Sequence, residues 1–242
     1  MSKRKQIYLA RDLIFILSLL ILTYHEKFKL KIIESRIKRR TFLFRGLYTK
    51  KGKNFLVIAL KKSLKMAHAV VRVVERCESA KENRELDLSE CELMQIPDAV
   101  YHLMRNTELK TCDLSGNVIK KISPKFAVKF SLITDLNLSH NQMSKLPDEL
   151  ADLTNLARLN ISHNSFIVLP PVVFKMPKLR ELDASHNAII EIDTDEFITS
   201  DSLEVVDLRR NPLGRTTFRR LKNAQTPFRI EISEYNEDDE DW

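Results

Sequence analysis

Residues 133–143 read ITDLNLSHNQM, residues 156–166 read LARLNISHNSF and residues 179–189 read LRELDASHNAI. All three follow one template, LxxLxLxxNxL, with apolar residues at positions 1, 4, 6 and 11 and asparagine at position 9. Two further copies precede them, NRELDLSECEL (83–93) and LKTCDLSGNVI (109–119), and one follows, LEVVDLRRNPL (203–213). Position 9 is held by Cys91, Asn117, Asn141, Asn164, Asn187 and Asn211, at spacings of 26, 24, 23, 23 and 24 residues. A period this regular over six units marks a chain built by stacking similar coils.

Each template position has a physical reason. Apolar residues at positions 4 and 6, such as Leu136 and Leu138, alternate with polar ones, the period-2 signature of a strand with one buried face. One short strand cannot bury that face alone, so neighbouring coils must lie side by side with parallel strands roughly 4.8 Å apart. The asparagine stands where the chain leaves the strand, and its amide can pair backbone groups that stacking removes from water. Cys91 takes that place in the first copy and reads as a buried structural thiol rather than a redox group.

Beyond position 11 come Ile96-Pro97, Ile122-Ser-Pro124, Leu146-Pro147, Leu169-Pro170 and Ile192-Asp193. Proline ends strand pairing, so the return arm of each coil starts there. Val100 and Leu103, Phe126 and Phe130, Leu150 and Leu153, Val173 and Met176 then recur at i, i+3 or i+4, which predicts short helices or single helical turns. The expected fold is therefore an α/β solenoid, with parallel strands on the concave face and short helices or turns on the convex face.

A solenoid must be closed at both ends. Residues 66–83 predict a capping helix, with Met66, Val70, Val73, Val74 and Cys77 on one face, and residues 84–213 form the six repeats. Residues 214–233, with Phe218, Leu221, Phe228, Ile230 and Ile232, supply a C-terminal cap, and residues 234–242 predict an acidic, disordered tail.

The net charge of +7 conceals an uneven distribution. Residues 1–65 hold 18 Lys and Arg against Asp12, Glu26 and Glu34, a net of +15, which leaves 40 − 18 = 22 basic and 33 − 3 = 30 acidic residues, a net of −8, for the rest. The basic balance thus belongs to the leader, and the repeats are not expected to bind nucleic acid. Leu13–Leu22 (LIFILSLLIL) follows a basic start but is shorter than the roughly 20 apolar residues of a spanning helix, and Thr23–Lys27 is a poor cleavage site. Residues 1–65 read as a dispensable extension, untranslated if initiation falls at Met66; alternatives are a membrane or signal anchor and a basic amphipathic surface binder.

Three cysteines without a CxxC pairing, Cys77, Cys91 and Cys112, argue against a disulfide framework or zinc site and favour a reducing compartment. With four glycines and no GxGxxG or GxxxxGK[ST] string, phosphate-cradling loops are not expected either. No serine, cysteine or threonine lies in a recognisable elbow with an orienting base, so catalysis is not expected.

The repeats resemble the intracellular leucine-rich-repeat proteins, the class with repeats of about 23 residues. AVVRVVERC (69–77), LDLSECELMQIP (86–97) and LRRNPL (208–213) carry that resemblance, which covers Met66 to Leu213 and leaves the leader unmatched. It implies a cytoplasmic interaction protein without enzymatic activity or cofactor.

The expected docking surface is the concave face, at template positions 2, 3, 5, 7 and 8. Its charged and variable members are His140, Arg158, His163, Arg180, Glu181, His186, Glu204, Arg209 and Arg210. His140, His163 and His186 share position 8, close enough for neighbours to share a metal, but they read as a solvated polar column, and no metal site is assigned. Position 5, Asp87, Asp113, Asn137, Asn160, Asp183 and Asp207, is either an acidic stripe or a requirement of the repeat itself. The sequons at Asn137 and Asn160 fall on packed strands, where glycosylation is not expected. The expected function is a scaffold that binds another protein; the alternative is a membrane-tethered receptor-like protein anchored by residues 13–22.

Overall fold

A computed structural model describes residues 68–192 and 202–234. The hydrophobic run 13–22, Met66, Asp193 and the acidic residues from 235 onward lie outside the described residues. The repeats all fall within one compact unit, Arg72–Trp242.

Seven three-residue strands form a single parallel sheet in chain order: β1 (Glu85–Asp87), β2 (Thr111–Asp113), β3 (Asp135–Asn137), β4 (Arg158–Asn160), β5 (Glu181–Asp183), β6 (Val205–Asp207) and β7 (Arg229–Glu231). The register never slips: Leu86, Cys112, Leu136, Leu159, Leu182, Val206 and Ile230 are successive partners, so template position 4 forms one file. The first six of these are buried and Ile230 packs against them. Position 6 forms a parallel file of Leu88, Leu114, Leu138, Ile161, Ala184 and Leu208, all fully buried. Period-2 alternation thus becomes one continuous core.

The return arms are α2 (Asp98–Leu103), α3 (Lys125–Lys129) and two 3₁₀ turns, Asp148–Asp152 and Pro171–Lys175; α1 is the N-terminal helix over residues 68–83. Pro97, Pro124, Pro147 and Pro170 stand immediately before the arms, where a missing N–H costs nothing. Arm type follows repeat length. The 26- and 24-residue periods from Cys91 to Asn141 carry α-helices, and the two 23-residue periods carry 3₁₀ turns. A 3₁₀ turn rises about 2.0 Å per residue against about 1.5 Å for an α-helix, so five residues span what six or seven would otherwise cover. Inside the arms, Phe126 packs edge-on against Phe130, and Tyr101 stacks on Phe130 with centroids 5.6 Å apart.

The N-terminal cap departs from the expected face. Helix α1 buries Val73, Cys77 and Ala80, whereas Val74 is half-buried and Val70 is 60% exposed. Positions 73, 77 and 80 form one narrow i, i+4, i+7 stripe, and small Ala80 lets the helix approach the first coil closely. At the other end the cap is more regular than its composition suggests. Helix α4 (Arg215–Asn223) buries Thr217 and Leu221, leaves Phe218 half-buried, and returns the chain as β7.

Leu138 is fully buried at the centre of the position-6 file. Leu138→Ala is expected to destabilise the fold by roughly 2–5 kcal/mol in urea unfolding, as cavity-forming substitutions do. A cost below about 0.5 kcal/mol would place that side chain outside the core.

Candidate docking face

Between strands, the backbone pairs forward along the array. The position-6 N–H of each repeat donates to the position-5 carbonyl of the next, from Leu88 to Asp113 at 2.7 Å through Leu208 to Glu231 at 2.8 Å. The position-8 N–H donates to the next position-7 carbonyl, as from His140 to Ser162 and His163 to Ser185, each at 3.0 Å. Reaching that carbonyl demands a left-handed residue at position 8. Glu90, Gly116, His140, His163, His186 and Arg210 all have φ between 51° and 65°. The composition of the turn therefore has a conformational cause, which spacing alone does not reveal.

The asparagines join one coil to the next. Asn141 donates from Nδ2 to the carbonyls of Leu114 (2.9 Å) and Leu138 (3.1 Å), and its Oδ1 accepts from the N–H of Ile119 (3.0 Å). Asn117, Asn164, Asn187 and Asn211 repeat that pattern with their own neighbours. Cys91 has no amide to offer. In its place Arg76 of α1 donates from Nη1 to the Ser89 carbonyl (2.6 Å) and to Cys91 Sγ (3.4 Å), while Arg72 reaches the Glu90 carbonyl (3.3 Å). Sequence reasoning missed both arginines, since nothing in their spacing distinguishes them from solvated helix charges.

Position 5 is a turn device. Its side-chain oxygen accepts the position-7 N–H in all six repeats, from Asp113 to Ser115 at 2.7 Å up to Asn137 to Ser139 at 3.1 Å. Burial works to raise the Asp87 pKa, but bonds from Ser89 and the Arg76 guanidinium win and hold the carboxyl below its ordinary value. Asp207 is likewise held low, against burial, by Arg209. An acidic or amide residue here is thus explained by the fold before any partner is considered.

Arg158, Arg180, Glu181, Glu204, Arg209 and Arg210 are exposed, and several pair across strands. Arg158 pairs with Asp135, Arg180 with Glu204 at 3.7 Å, and Arg209 with Asp207 and with Glu231 at 3.1 Å. On the strand-entry side lies a shallow groove of about 570 Å³ that includes Arg84, Lys110, Thr134 and Lys178, a feature the template does not signal.

The three histidines stack face to face: His140 on His163 and His163 on His186, each with centroids 4.0 Å apart and interplanar angles of 12° and 17°. That is closer than the ~4.8 Å between strands, so the rings lean together. Near-parallel rings aim their nitrogens in parallel rather than at a common point. Among the described residues no group of three His, Cys, Asp or Glu side chains is placed to hold a metal. Partial burial and then the flanking His140 and His186 lower the His163 pKa, against a weaker opposing pull from Asp183. The cysteines are free and buried, and burial raises Cys77 to about 11 and also lifts Cys91 and Cys112, so their thiols stay protonated.

The family model described as "Leucine rich repeat" matches residues 107–166 and 154–213. Leucine-rich repeat-containing protein 20 of Mus musculus is 44% identical over 154 residues, which are 62% of this chain and 84% of that protein. Its Homo sapiens counterpart is 33% identical over 96 residues, 38% of this chain, and the match spans only 52% of the human protein's length. A leucine-rich-repeat protein of Leptospira interrogans superposes with a TM-score of 0.50 at 20% identity, over 68% of this chain and 47% of that one, which speaks to the fold alone.

Two measurements probe this geometry. Asn141→Leu strands the Ile119 N–H and leaves the Leu114 and Leu138 carbonyls with one asparagine donor each, Asn117 and Asn164. At roughly 1–3 kcal/mol for the stranded N–H alone, it should destabilise far more than a surface change such as Gln142→Ala in urea unfolding. In NMR titration His163 should protonate below the ordinary histidine value, and His140→Asn with His186→Asn should move it back up. Because the folded value lies below the unfolded one, this histidine contributes stability that is fully present above the unfolded pKa and is lost as pH falls through the folded one.

Proposed function

The chain belongs to the leucine-rich-repeat family, and from that membership we propose that it is a non-catalytic scaffold whose concave face docks a partner protein. The observation that carries the reading is the set of cross-strand pairs whose arginines are exposed, Arg158–Asp135, Arg180–Glu204 and Arg209–Glu231. Exposed pairs are worth about 0–1 kcal/mol each, so a partner can exchange them for its own charges at little cost. The sheet beneath supplies a rigid platform, and Glu181, His140, His163, His186, Glu204 and Arg210 complete the variable surface.

A protein partner fits better than a nucleic acid, because residues 66–242 carry a net of −8 and the position-5 row is rich in carboxylates. Among the described residues no helix is long and apolar enough to cross a membrane. Protonated, unpaired thiols at Cys77, Cys91 and Cys112 support a reducing, cytoplasmic setting and argue against nucleophilic chemistry there.

Affinity capture with the full chain tests the assignment. Arg158→Glu combined with Arg180→Glu should lose the proteins that the parent chain captures while the chain stays folded, the urea midpoint giving way only by the small amount that two surface pairs contribute. Unchanged capture would move the docking site off the concave face.

A further inference from the structure

Template position 8 carries charge that the fold does not neutralise. From β3 onward the row reads His140, His163, His186, Arg210. Arg210 anchors the last turn by donating its backbone N–H to Ser233 Oγ at 2.7 Å, and among the described residues its guanidinium is in no ion pair. At the opposite end Glu90 leans over Gly116, its Cγ only 3.0 Å from where a Cβ would stand. The row therefore has a cationic end, an anionic end and three titratable rings between.

Building on the concave-face reading above, we propose that His140, His163, His186 and Arg210 form an acid-responsive contact for a carboxylate-rich segment of the partner protein. His163 lies between His140 and His186 with centroids 4.0 Å from each, so positive charges on neighbouring rings repel in the free chain. A row of carboxylates laid along the stack removes that repulsion, and Arg210 fixes which end of the segment lies where.

The groups facing the row permit this. Asp183 and Asp207 lie beside it on β5 and β6, but each is already an acceptor for its own turn, and Asp207 is held by Arg209, which also engages Glu231 of β7. Ser139, Ser162 and Ser185 separate the rings from position 5 and are buried. On the far side position 10 presents Gln142, Ser165 and Ala188, exposed and uncharged, so no carboxylate of those turns competes from that flank. A protein segment fits better than a phosphate backbone, because the concave-face reading on which this rests has a protein partner and the row offers a nucleic acid only one fixed cation at neutral pH.

The test is an NMR titration of the histidine ring resonances in the full chain between about pH 8 and 5, with and without a labelled octapeptide of alternating Asp and Ser. His102 on α2 serves as the internal reference. With peptide, the apparent pKa values of His140, His163 and His186 should rise together, and affinity should strengthen by up to about tenfold per pH unit for each proton taken up. The triple variant H140N/H163N/H186N, which suits a left-handed backbone, should retain its unfolding midpoint at pH 8 and lose that pH dependence. Peptide binding that leaves the three histidines unmoved, as on basic residues 1–65, would overturn the proposal. So would an equal pH dependence in the triple variant, or a larger histidine response to an octanucleotide RNA. If the Arg158 and Arg180 double variant loses its partner while the histidines ignore the peptide, docking on the concave face stands and only this contact falls.

Discussion

The asparagine amide is the constraint from which the rest of the solenoid follows. Stacking one coil on the next removes from water the position-6 carbonyl of each turn and the position-11 N–H of the preceding one. Neither can join the strand ladder, which is only three residues long. A planar amide on a short stem offers two donors and an acceptor at the distance required, so Asn141 serves Leu114, Leu138 and Ile119 at once. Aspartate lacks the donors, and glutamine carries its amide one methylene too far. Because the amide must reach the previous coil every time, the period can vary only in the convex arm, where α-helices take up the longer repeats and 3₁₀ turns the shorter ones.

At the ends this logic needs substitutes. The first coil has no predecessor, so Cys91 needs no second carbonyl to serve, and a small buried thiol suffices there. Asn117 takes the Leu88 carbonyl of that turn and Arg76 and Arg72 of helix α1 take those of Ser89 and Glu90, so the helix closes the core with Val73, Cys77 and Ala80 and the backbone with guanidinium groups. The last coil is closed by β7, a strand that accepts the ladder bond from Leu208 at Glu231 and replaces the next backbone acceptor with the Ser233 hydroxyl.

How much of this can be read from residues alone follows from which interactions repeat. Six strands, their parallel order, the buried files and the convex turns come from side chains that recur at one spacing, so each copy corroborates the others. β7 repeats only half the template, Phe228, Ile230 and Ile232, without an asparagine, and so reads as cap rather than strand. Periodicity carries the expected face of α1 back through Val70, which is exposed, because it gives a direction but not the point at which packing begins. The arginine substitutes and the cross-strand pairs are not legible. Both depend on the three-dimensional neighbour of a charge, and an exposed Arg158 looks the same in sequence whether or not Asp135 lies beside it.

Position 8 shows where structural demand ends and chemical choice begins. The turn requires a left-handed residue, and glutamate, glycine, histidine and arginine all meet that requirement in this one chain. A non-glycine residue there costs roughly 1–2 kcal/mol of backbone strain, so glycine throughout would satisfy the fold at lower cost. Histidine in three consecutive coils is therefore not imposed by the backbone. Nor is it imposed by packing, since His140 and His186 are exposed and the buried neighbours on the strand side are serines. What the three rings add is a surface whose charge depends on pH, mounted at the exit of the parallel sheet and terminated by a fixed cation at Arg210. That charge is linked to folding through His163, whose contribution to stability is lost at low pH, and under the proposal above it is linked to binding as well.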